Sequence, residues 1–80
     1  MGRIHTKGNV SVWVYANDHL PPHFHINSPD TQAIVEIETF ELYAGTLPRG
    51  SSAREIMAWA EANVDQIIVE WNRVNPRFPI

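Results

Sequence analysis

Eighty residues are enough for one domain, and the chain reads as a single domain over residues 1–80. The absence of cysteine excludes disulfides and thiolate metal sites, so stability must come from packing, with three tryptophans, three phenylalanines and two tyrosines as the material. The net charge of −3, with basic residues scattered from Arg3 and Lys7 through Arg49 and Arg54 to Arg73 and Arg77, disfavours a nucleic-acid partner, whose affinity rests on gathered cationic charge.

The segment from Met1 to Gly8 has no apolar core for export, and the apolar runs are too short to span a bilayer. The expectation is a cytoplasmic protein with no membrane contact. A chain of this length has a thin core, for which a homo-oligomer is a common support. Val10, Val12 and Val14 alternate with Ser11, Trp13 and Tyr15, which is the two-residue period of a strand. Trp13 and Tyr15 are read first as core. Asn17 to Pro22 ends this strand, because neither Pro21 nor Pro22 can donate to a ladder. A second strand runs from His23 to Asn27, with Phe24 and Ile26 on one face and His23 and His25 on the other. Ser28 to Thr31 is a turn by composition.

Ala33, Val35 and Ile37 mark the inward face of a third strand, with Glu36 and Glu38 outward. Phe40, Leu42 and Tyr43 suggest a short fourth strand or edge segment. Ser52 and Glu55 have the spacing of a capping box. From there Ile56, Met57, Ala60, Val64, Ile67, Ile68, Trp71 and Val74 keep helical phase until Pro76. They form one long helix, or two with a kink at Asn63. The expected fold class is α+β: a small antiparallel sheet of three to four strands with a long or kinked C-terminal helix packed on one face.

A four-residue loop at Ser28–Thr31 pairs Asn27 with Gln32, His25 with Ile34 and His23 with Glu36. All apolar partners then share one face. In this register two imidazoles point the same way, with His19 and Asp18 in the loop before them. Three uses are open to such a cluster. It is a solvated polar face; or His19, His23 and His25 hold one divalent transition metal; or His23, His25 and His19 work as general acid and base, with Asp18 or Glu36 as orienter. Gly-rich phosphate loops and nucleophile elbows are absent.

The segment Asn17-Asp18-His19-Leu20-Pro21-Pro22-His23-Phe24-His25 resembles the N-D-H-x-P-P-H-x-H signature of domain-of-unknown-function family 4160, short prokaryotic proteins. The likeness covers nearly the whole chain, by motif here and by pattern through Glu36-Ile37-Glu38 and the helix from Ser52. It implies that Asp18, His19, His23 and His25 are the functional positions. It also implies a small protein partner encoded nearby, as in toxin–antitoxin pairs. The expected function is therefore a component of such a two-gene module, acting through protein partnership with a histidine-rich surface. The alternatives are a small ribonuclease with a His/carboxylate site and a divalent metal-binding module.

Overall fold

The structure, a computed structural model, describes residues 3–16 and 18–80, so Asn17 of the histidine motif lies outside the described residues. Arg3–Lys7 forms strand β1 and Val10–Trp13 forms β2. Gly8, between them, has a φ of 61°, a left-handed turn conformation that costs glycine little. His23–Asn27 is β3, Gln32–Glu36 is β4 and Leu42–Gly45 is β5. The five strands pair in chain order as one antiparallel meander. Between β3 and β4 the register is the one the apolar pattern requires: His23 opposite Glu36, Phe24 opposite Val35, His25 opposite Ile34, Ile26 opposite Ala33 and Asn27 opposite Gln32.

β1 was not anticipated, and it makes the sheet five strands wide instead of three or four. Arg3, His5, Thr6 and Lys7 carry no apolar alternation, and the strand is held by its pairing with β2 and by Ile4, which packs against the core. The fourth strand of the sequence reading is β5, but it starts after Phe40. That residue has a φ of 61° in the 37–41 connection, and its ring packs 5.4 Å from that of Phe24.

Ser51–Ala62 is helix α1 and Val64–Val74 is α2, so the helical third is two helices divided at Asn63. The Asn63 side-chain amide donates to the Trp59 carbonyl at 2.8 Å, and the Asn63 backbone N–H donates to the same carbonyl at 2.9 Å, closing the end of α1. Its own carbonyl accepts from Gln66 and Ile67 and starts α2. The capping box is not formed. Gly50 occupies the N-cap position and no side chain caps the helix; Glu55 pairs instead with Lys7 at 3.1 Å. The helix begins one residue before Ser52, which places that hydroxyl inside the first turn, too far along to cap it.

Val10, Val12, Val14, Phe24, Ile26, Ala33, Val35 and Ile37 form the covered face of the sheet, closed by Ile56, Ala60, Ile67 and Trp71 from the helices. Ser11, Trp13 and Tyr15 must therefore point to the opposite face. Trp13 is half-buried there and Tyr15 is exposed, so neither belongs to the core. Trp59, half-buried on α1, stacks on His5 at 4.1 Å. Among the described residues no helix is long and apolar enough to cross a membrane.

Candidate metal centre

The loop from β2 to β3 brings the site together. Its end is tied to the sheet by the Pro22 carbonyl, which accepts from the Ile37 N–H and extends the β3–β4 ladder by one step. The Leu20–Pro21 peptide bond is cis. The near end of the loop is held by Asn75, just past α2 and only 2% exposed. Its side-chain oxygen accepts from the Asp18 N–H at 2.8 Å, and its amide donates to the Tyr15 carbonyl at 2.9 Å. A single side chain thus clamps the loop on both sides of residue 17.

His23 is not on a solvated face. It is fully buried, with its ring 5.5 Å from that of Trp71. Strand parity correctly sets it opposite Phe24, but the Asp18 loop folds over the end of the sheet and closes it off from water. Its Nδ1 lies 2.7 Å from the Pro21 carbonyl and its Nε2 lies 2.9 Å from Asp18 Oδ2. His25, on the same side of β3, places its Nε2 3.1 Å from the same carboxylate oxygen. The Tyr15 ring meets the His25 ring edge-on at 4.5 Å and helps to orient it. Asp18 Oδ1 accepts from the His19 N–H at 2.9 Å, which leaves Oδ2 to the two imidazoles.

The convergent set is thus Asp18, His23 and His25, whose ligand atoms all lie within 4.8 Å of one another. His19 lies outside it. Its ring stacks on that of His23 at 4.9 Å, but the side chain is 63% exposed and its Nε2 is 3.7 Å from Asp18 Oδ1. Glu36 faces His23 across the ladder, yet the carboxylate in this cluster is Asp18, because the Pro21 carbonyl fixes the ring with Nε2 turned to the loop.

The electrostatics follow from this packing. Burial alone would raise the Asp18 carboxyl. The His19 N–H, the hydrogen bond from His25 and the interactions with His23 outweigh it, and the group lies below its ordinary value. For His25, burial is the largest influence and disfavours the imidazolium. The Asp18 hydrogen bond opposes it, and the net shift is downward. A neutral His25 can donate from Nε2 to Asp18 and complete its bond.

His23 cannot do the same. A carbonyl only accepts, so Nδ1 must carry the proton given to Pro21. A neutral ring then aims the Nε2 lone pair at a carboxylate oxygen 2.9 Å away, which is repulsive. Two species remove the repulsion: a second proton, giving a fully buried imidazolium, or a cation that accepts both lone pairs. An imidazole whose Nδ1–H is held by a backbone carbonyl while Nε2 faces outward is the orientation that metal-bound histidines adopt.

Asn75 escaped the sequence reading. The Asn-Pro step signals that a helix has ended, but nothing local shows that its amide serves a loop 57 residues away. Among known protein families, residues 10–72 match the one described as Domain of unknown function (DUF4160). No curated protein and no solved structure matches the chain.

Proposed function

The chain belongs to the DUF4160 family, and we propose that it is a divalent transition-metal-binding domain whose centre is Asp18, His23 and His25. The observation that carries this reading is the one carboxylate oxygen faced by two imidazole nitrogens at 2.9 and 3.1 Å, one of them on a ring whose other nitrogen is committed to a carbonyl. Two neutral imidazoles and one carboxylate suit Mn²⁺, Fe²⁺, Co²⁺ or Zn²⁺, and three protein ligands leave positions for water or a substrate. The general acid–base reading uses the same residues, but His23 has no access to solvent from which to exchange its proton. Chain purified without a polyhistidine tag should hold about one equivalent of metal by elemental analysis, as one three-ligand centre requires. Asp18→Ala and His25→Ala should hold none. Tag-free wild-type protein that binds Co²⁺ and Zn²⁺ no more tightly than His25→Ala would refute it.

A second reading, compatible with the first, is partnership with a small protein encoded nearby, as in a toxin–antitoxin-like pair. It is favoured by β5, an edge strand exposed along its whole length, with Leu42 at 48% and Tyr43 at 50% exposure. Such an edge offers unpaired N–H and C=O groups to an added strand. Co-expression with the adjacent gene product should give a complex that Tyr43→Pro disrupts. Absence of any complex at micromolar concentration would count against partnership without touching the metal centre.

A further inference from the structure

Asp18 also lines a small cavity with Asn75, Pro76, Arg77 and Phe78. Its volume is about 80 Å³, enough for several waters or one small anion. The chain that forms it is anchored. The Phe78 N–H donates to the Asn75 carbonyl at 3.0 Å, and the Phe78 carbonyl accepts from the Trp71 indole at 2.8 Å. Beyond it, the Ile80 N–H donates to the Asn72 side chain at 2.8 Å. Arg77 is therefore presented from a short segment fixed immediately before and after it. The Asn75 side chain is already committed to Asp18 and Tyr15, so it shapes the wall and brings no charge.

We infer that this cavity is a subsite for a small oxyanion of the phosphate class, held between the metal of the Asp18 centre and the Arg77 guanidinium. The inference rests on the metal reading above and names the ligand that completes it. A divalent ion with one carboxylate and two neutral imidazoles has a net charge of +1 and retains open positions. Arg77 adds a second positive charge, and its planar fork matches the oxygens of a phosphate. Among the described residues Asp18 is the only carboxylate lining the cavity, and it is spent on the cation. Pro76 and Phe78 supply apolar wall, and the space admits one tetrahedral head group with any larger remainder left outside. The chain as a whole carries −3, so the attraction is local to this spot and owes nothing to a general cationic surface.

The test uses Co²⁺-loaded protein, with metal content measured on the same sample. Inorganic phosphate and phenyl phosphate are titrated separately by calorimetry and by the cobalt d–d absorption. Wild type should bind one equivalent of phosphate and change its spectrum. Arg77→Gln, a substitution at an exposed residue, should retain the metal yet bind phosphate about tenfold more weakly or worse, as the loss of a charge-assisted pair requires. Arg49→Gln, remote from the cavity, should match wild type. Tighter binding of phenyl phosphate identifies a phosphate ester as the ligand; tighter binding of inorganic phosphate identifies the free anion. Protein that takes up cobalt but no phosphate, or equal phosphate affinity in Arg77→Gln, overturns the subsite alone. Protein that takes up no cobalt overturns the metal centre and the subsite together.

Discussion

Phe24 and His23 are neighbours on one strand, both fully buried, and they are buried in opposite ways. Phe24 faces the helices among Ile26, Val35 and Phe40, where the gain comes from apolar area removed from water. His23 faces the other way, into a pocket whose walls include a carbonyl, a carboxylate and a tryptophan. At Phe24 volume decides what fits. At His23 every polar atom needs a specific partner, and a protonation or a bound ion must balance the account. The first region holds the fold together; the second is kept polar at a cost that a purely structural core would avoid.

Substitution should separate the two regions. The largest loss is expected for Phe24→Ala, about 3–5 kcal/mol from transfer and cavity terms. A domain of this length has a total stability on the order of 4–12 kcal/mol, so urea titration should find this variant at the edge of unfolding. His23→Ala should cost about 2–3 kcal/mol, because it leaves the Pro21 carbonyl without its donor and opens a cavity beside Trp71. His25→Ala, at a half-buried position, should cost about 1 kcal/mol. If the site is a metal centre, both histidine variants lose metal to a similar degree despite their unequal stability. Metal loss that tracks stability instead would reduce the cluster to a structural element.

Asn75→Ala sharpens the comparison from outside the cluster. Removing the clamp should cost about 1–2 kcal/mol and weaken metal binding about 10-fold or more, since Asp18 is held in place through it. Asn75→Asp would restore the acceptor for the Asp18 N–H but lose the donor to Tyr15, and its affinity should fall between the two.

The smallest effect is pH dependence in the metal-free protein. His25 and Asp18 both lie below their ordinary values, so in each window the unfolded chain binds more protons than the folded one. Stability therefore rises with pH through both. It should be complete above about pH 6.5, fall first as the pH drops through the His25 window, and fall again below about 3.9 as Asp18 protonates. Urea midpoints measured against pH should lose the upper step in His25→Gln and keep the lower one. An upper step that persists unchanged in His25→Gln would contradict the placement of His25.

Much of this was legible in the chain itself. The alternation around Val12, the Ser28–Thr31 turn and the apolar partners of β3 and β4 determine strand register, because a slip of one residue would turn Phe24 and Ile26 out to water. The same parity puts His23 and His25 on one side. The helical phase from Ile56 to Val74 requires a sheet beneath it, and Asn63 marks the one place where it could break. Local pattern, however, reports periodicity and not what closes over a residue. That β1 adds to the edge, that Trp13 and Tyr15 stay on the face away from the core, and that the loop folds over His23 are all set by packing between distant segments. Asp18 enters the cluster in place of His19 because Asn75, 57 residues away, holds its backbone. Two-residue spacing can aim a pair of imidazoles, but only the folded chain brings the carboxylate that gives them something to share.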